Sequence, residues 1–281
     1  MAVKIICDSA ADITSAFAKE NNIKIIPLKT IIDGREYLDG VELSPEEFYK
    51  LQKETKDFPT TSQISPAEFA DAYREVTEGG DEAVVITISS GLSGTYQSAT
   101  IAEAEYEGKV FVVDSLNVAI GEQLLVHLAL RLKDEGLSAA EIANSLHSAR
   151  EKIRLLASFD TLEYLFRGGR LSRTSAVAGA MLNIKPIFTI ENGKLEIVAK
   201  ARGNKGRNLA MNDIVRVCGD IDFSLPVLAA YTGDNKEPLN EYLESGADIW
   251  ADAKEIPDCL VGSTVGAHAG PGAVAIAFFV K

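Results

Sequence analysis

Short apolar runs rich in β-branched residues recur along the first half of the chain, each followed by a stretch of helical periodicity, and this alternation limits the folds open to it. "VKIIC" (3–7), "IKIIPL" (23–28), "EAVVITI" (82–88) and "KVFVVDS" (109–115) have the length and texture of strands buried on both faces. Between them, "SPEEFYKLQKE", "SPAEFADAYREV" and "QLLVHLALRLKDEG" carry apolar residues at helical spacing. The pattern predicts a largely parallel sheet with helices on both faces. Two helix starts are explicit. Ser44-Pro45-Glu46-Glu47 and Ser65-Pro66-Ala67-Glu68 each supply a hydroxyl N-cap, a proline at the first helical position and a glutamate placed to close a capping box. Ser138-Ala139-Ala140-Glu141 predicts a third helix, running to about Lys152.

After about residue 155 the texture changes. "LLASFDTLEYLFRGGRLS" predicts a strand, a short helix and a glycine break, followed by a helix of small residues, "RTSAVAGAMLN". "PIFTIENGKLEIVAKARG" predicts a β-hairpin, with Asn192-Gly193 as its type I′ turn. A helix near 203–219, the strand "LPVLAAY", a helix near 236–246 and the final strand "GAVAIAFFV" complete an α+β unit. The expected fold is therefore α/β in two domains: an N-terminal parallel-sheet α/β domain over 1–160 and a C-terminal α+β domain over 161–281.

Charge and cysteine content narrow the classes of function. A formal net charge of −13 repels nucleic acid and anionic lipid surfaces, so no nucleic-acid partner is expected. Cys7, Cys218 and Cys259 are odd in number and widely separated, which suggests neither a disulfide framework nor a metal knuckle. The start "MAVKIICDSAAD" lacks the basic-then-apolar pattern of a secretory signal, and no apolar run reaches the roughly 18 residues of a membrane span. A reducing cytoplasm, no stable membrane insertion and no cofactor are the expectations.

In an open parallel sheet, ligands sit beyond the carboxyl ends of the strands. Asp8-Ser9, Ser89 to Thr95 and Asp114-Ser115 all follow predicted strands. "SSGLSGT" (89–95) has the makings of an anion cradle, because glycines admit close backbone approach, hydroxyls donate, and the next helix offers unpaired N–H groups. It lacks the lysine of a nucleoside-triphosphate loop. It also misses the Gly-x-Ser-x-Gly of a nucleophile elbow by one residue, since Thr95 stands where the second glycine belongs. Of the three histidines, His127 and His147 fall within helical patterns, and His268 lies among the glycines of "VGSTVGAHAGPGAV", read as a loop. "DFPTTSQISP" (57–66) reads as a loop and N-cap, and "FRGGRLSR" places Arg167, Arg170 and Arg173 around a glycine pair, where they could meet a ligand anion or the acidic surface.

Taken in order, "ICDSAADIT", "PTTSQISPAEF", "ISSGLSGTYQSA", "VVDS", "LEYLFRGGRLS", "LNIKPIFTIENGKL" and "GSTVGAHAGPGAVAIAF" resemble the motif series of the DegV family from one end of the chain to the other. The resemblance implies a fatty-acid-binding protein, some of whose relatives are the acyl-carrying subunit of a fatty acid kinase, with the acid buried between two α/β domains. It further implies that Thr61 and Ser93 hold the carboxylate, that the Gly94 amide lies close by, and that His268 and Arg202 are near it. Two positions depart from the family pattern: Ile64 stands where a proline follows "TSQ", and "LFRGGR" replaces "LRKGGR".

Energetics agree with a carrier. A tail of about fourteen methylenes buried at roughly 0.8 kcal/mol each offers on the order of 11 kcal/mol before the costs of association. The head group then needs only enough donors to avoid an unpaired buried charge. The alternative from a different class is a serine esterase or thioesterase using Ser93 with His268, and a phosphotransferase reading is disfavoured by the missing lysine.

Overall fold

The computed structural model describes residues 2–171 and 183–281. All but the last residue of the small-residue helix expected from "RTSAVAGAMLN", and with it Arg173, lie outside the described residues. Three sheets organise the remainder. The first is fully parallel, in the order Ile23–Ile26, Val3–Asp8, Glu82–Thr87, Val110–Asp114. The second is mixed, in the order Lys194–Arg202, Ile184–Glu191, Ile153–Ser158, Val274–Phe279, Leu228–Tyr231, Asp258–Leu260, and only its last pair is parallel. The third is small and antiparallel, with Lys29–Ile32 between Arg35–Leu38 and Thr60–Ser62.

Alternation along each strand sends neighbouring side chains into different cores. From the parallel sheet, Ile6, Val85 and Val112 face helices Pro66–Glu78 and Thr95–Glu103. Ile5, Cys7 and Val84 face the opposite way, onto helix Ile120–Asp134. That helix is apolar nearly all round, as a helix enclosed on every side must be: nine of its residues are buried. Its far side meets the mixed sheet through Leu155, Ala157, Ala230 and Ala277, so one core runs from the first sheet to the second. The outer face of the mixed sheet is covered by helices Gly203–Val217 and Glu237–Ser245.

The three capping boxes form, at Ser44/Glu47, Ser65/Glu68 and Ser138/Glu141. The hairpin turn has Asn192 at φ 49° and Gly193 at φ 74°, both in the left-handed region that a type I′ turn needs. The chain moves to the second sheet earlier than the expected boundary at 160. Strand Ile153–Ser158 is a central strand of the mixed sheet, because an apolar run records burial and not which sheet it joins. Thr60–Ser62, expected as loop, pairs with Lys29–Ile32; three residues are too few for a period-2 pattern to show.

Hydrogen bonds fasten the two halves at the start of helix Ser263–Ala269. Asp12 Oδ1 accepts the Gly262 N–H at 2.7 Å, and Asp39 Oδ1 accepts the Ser263 N–H at 2.9 Å and pairs with its hydroxyl at 2.7 Å. Tyr49 donates its hydroxyl proton to the Val261 carbonyl at 3.0 Å. Asp39→Ala would leave the buried Ser263 N–H without an acceptor, while the Ser263 hydroxyl keeps Thr30 Oγ1 at 2.8 Å, and urea unfolding should show a loss of about 1–3 kcal/mol. Asp39→Asn should lose less, since its amide oxygen still accepts; an unchanged midpoint for the alanine variant would show that this junction carries no stability.

Candidate functional site

A cavity of about 370 Å³ lies between the parallel and mixed sheets. Most of its wall is apolar: Leu155, Ala157 and Phe159 from the first strand of the mixed sheet and the residue after it, Ala230 and Ala275 from later strands, and Leu195 from the hairpin. Polar groups also line it, among them Thr61, Gln63, Ser93, Gly94, Arg170 and His268. Four of the five residues expected at a head group, Thr61, Ser93, Gly94 and His268, therefore line one cavity although they come from three separate stretches of sequence.

The short strand Thr60–Ser62 presents Thr61, whose Oγ1 lies 2.8 Å from His268 Nε2. His268 is not in a loop: it occupies the last turn of helix Ser263–Ala269. Sequence reasoning missed that helix because it is seven residues long and contains Gly266, whose lack of a side chain admits Phe48 and Tyr49. Burial, and secondarily the charge of Arg170, hold the imidazole pKa down at about 4. The ring is therefore neutral at physiological pH. His268 Nδ1 is buried with no hydrogen-bond partner. An unmade buried donor costs more than an under-used acceptor, so the proton belongs on Nε2, which donates to Thr61 Oγ1 and leaves the threonine proton free for a ligand.

Ser93 belongs to the turn that opens helix Thr95–Glu103. Its Oγ accepts the Thr95 N–H at 3.3 Å and lies 2.9 Å from Thr95 Oγ1. Gly94 is the N-cap of this helix, and a β-carbon there would collide with Gln63 Oε1. Gln63 in turn donates from Nε2 to Ser98 Oγ at 2.9 Å, so the "TSQ" strand and the "SSGLSGT" turn are locked together. The start of a helix also favours negative charge.

Among the described residues, Arg170 is the arginine that lines the cavity. Its Nε donates to the Leu92 carbonyl at 3.0 Å and its Nη1 to the Gly168 carbonyl at 2.6 Å, and burial lowers its pKa without removing its charge. Arg202, expected near the head group, is instead exposed at the end of the hairpin, immediately before helix Gly203–Val217, and does not line the cavity. The strand does not alternate unbroken from the turn: a β-bulge between Ile197 and Ala199 exchanges its faces, so that Leu195 and Ile197 pack into the central core, Ala199 and Ala201 pack into the core on the outer face of the mixed sheet, and Arg202 stands exposed at the strand's end. His127 packs on Phe17 with ring centroids 4.8 Å apart, the packed role its helical pattern suggested.

Ser93 has its hydrogen bonds to Thr95 and none to His268, and no carboxylate orients the imidazole, so the base and orienting acid of a serine nucleophile are not assembled. Hydroxyls, a helix start and one guanidinium beside a long apolar wall suit an amphiphile with a single anionic head.

The comparisons with known proteins fit this picture. A family model described as "Uncharacterised protein, DegV family" matches residues 2–281. A DegV domain-containing protein of Caldanaerobacter subterraneus is 38% identical over 280 residues, covering 99% of each chain. A solved structure from Thermus thermophilus, described as showing fatty acid binding of a DegV family protein, superposes with a TM-score of 0.90 at 30% identity and covers 100% of both chains. Another, DegV of Bacillus subtilis, described as a fatty acid binding protein, has a TM-score of 0.86 at 28% identity over 100% of both chains.

Side-chain ¹⁵N NMR should find His268 neutral at pH 6 and titrating near pH 4. An unperturbed histidine takes up its proton at about 6.5. The folded state then binds fewer protons than the unfolded state between these values, so this group's contribution to stability is present above pH 6.5 and is lost as pH falls toward 4. A doubly protonated His268 ring at pH 6 would contradict the assignment.

Proposed function

This chain belongs to the DegV family, and from that premise and the shape of the cavity we propose that it is a carrier that binds a long-chain fatty acid. Thr61, Ser93 and the Gly94 amide hold the carboxylate, with His268 setting the Thr61 proton and Arg170, in place of Arg202, supplying the positive charge. The tail lies along the apolar wall between the two sheets. The single observation that carries the reading is a cavity that puts hydroxyl donors and one guanidinium beside an otherwise apolar lining. Relatives described as fatty acid binding proteins support it.

A carboxylate held by donors, with no nucleophile aimed at it, is available to another protein's chemistry. The reading therefore includes presentation of the head group to a separate ATP-using fatty acid kinase, which would form the acyl phosphate while this chain serves as the non-catalytic subunit. Among the described residues no helix is long and apolar enough to cross a membrane.

Native mass spectrometry of purified protein should show the added mass of a fatty acid, and extraction should identify its chain length. Ser93→Ala should weaken retention about tenfold or more, the effect of losing one hydrogen bond to a charged group, with the fold unchanged. Soluble protein that never yields extractable lipid would sink the reading; burst release from an activated ester, lost in Ser93→Ala, would favour the esterase instead.

A further inference from the structure

Ser89, the first hydroxyl of "SSGLSGT", is fully buried and does not line the cavity, yet all its polar groups are engaged. Its N–H donates to the Asn117 carbonyl at 2.8 Å. Its carbonyl accepts two protons from the cradle, from the Leu92 N–H at 3.0 Å and the Ser93 N–H at 3.1 Å. Its Oγ accepts the Gly91 N–H at 3.1 Å and donates to the Gly193 carbonyl at 2.7 Å. The last bond leaves the first domain, because Gly193 is in the hairpin turn of the mixed sheet.

The contact has no slack. A β-carbon on Gly193 would fall 2.5 Å from Ser89 Oγ, and one on Gly91 would fall 2.5 Å from the Gly193 carbonyl oxygen. Below the turn lies Leu116, held in the left-handed region at φ 51°, with its N–H donating to Asp114 Oδ1 at 3.0 Å. The same oxygen accepts the Ser90 N–H at 3.1 Å, so the cradle and the loop after the last parallel strand are tied beneath the turn. Two residues beyond it, Leu195 forms part of the cavity wall. The hairpin thus touches both the tail, through Leu195, and the backbone that sets Ser93, through Ser89.

Resting on the fatty-acid reading, we propose that Ser89 is a positioning residue through which the seated hairpin turn holds Ser93 on the head group, so that retention of the bound acid depends on this turn staying in place. Ser89 touches no ligand itself. A hairpin that lifts takes the Ser89 hydroxyl's acceptor with it, and the turn carrying Ser93 loses its support from outside the first domain.

The test is the release rate of cis-parinaric acid into acceptor phosphatidylcholine vesicles, followed by stopped-flow fluorescence, in a mutant cycle. Ser89→Ala should speed release about tenfold when Ser93 is present and add nothing in a Ser93→Ala background, since it acts through Ser93. Gly193→Ala, which pushes the turn off an intact Ser89, should behave in the same way and keeps the test open if Ser89→Ala folds poorly. Equal acceleration in both backgrounds, as general loosening would give, overturns the proposal, and so does unchanged release in the single variants. Wild-type protein that takes up no parinaric acid overturns the fatty-acid reading on which it rests, an outcome distinct from either.

Discussion

Two buried carboxyl groups, Asp12 and Asp39, set how the halves of this molecule meet. Apolar packing is non-directional and would tolerate sliding of one sheet over the other. The N–H groups of Gly262 and Ser263 are not so permissive, because each needs an acceptor in the place where it is buried. Burial pushes the Asp12 carboxyl well up despite the Gly262 hydrogen bond, and nearby Asp39 and Asp8 act in the same direction. With its N-terminus fixed by these contacts, helix Ser263–Ala269 delivers His268 to Thr61 one helical length away. A polar junction at one end of this helix thereby sets the geometry where His268 meets Thr61 at the cavity wall.

In the fatty-acid reading proposed above, the head and the tail place opposite demands on the same cavity. The wall must be apolar to make transfer from water favourable, and that same wall makes an unpaired carboxylate costly. On that reading Thr61, Ser93 and the start of helix Thr95–Glu103 meet the second demand with neutral donors, and Arg170 is the permanently charged side chain of the lining among the described residues. A neutral His268 serves this arrangement better than a cationic one, since it spends its proton on orienting a threonine.

Much of this was legible in the sequence, and the exceptions have physical causes. The strands of the parallel sheet, the capping boxes and the Asn192-Gly193 turn follow from local chemistry and formed where expected. Thr61, Ser93, Gly94 and His268 were recognised from family motifs, and they converge. What local pattern could not reveal was partnership at a distance. Strand Ile153–Ser158 reads the same whichever sheet it joins; strand Thr60–Ser62 exists only because Lys29–Ile32 is beside it. Arg170 and Arg202 each stand near a glycine, and nothing local in the sequence marks the β-bulge between Ile197 and Ala199 that exchanges the faces of the strand leading to the second.

Helix Ile120–Asp134 bears on how a ligand could ever leave. It serves as core for the parallel sheet on one side and for the mixed sheet on the other. Ile120, Leu124, Leu125, Val126, Leu128 and Leu130 are all buried in it, each representing about 1.5–3 kcal/mol of burial. Exposing even half of that surface costs about 6 kcal/mol, comparable with the 5–15 kcal/mol that holds a typical domain together. Hinged parting of the two sheets would thus approach unfolding in its cost. The two domains share one core around this helix, and a ligand's release that required parting them would have to overcome that cost.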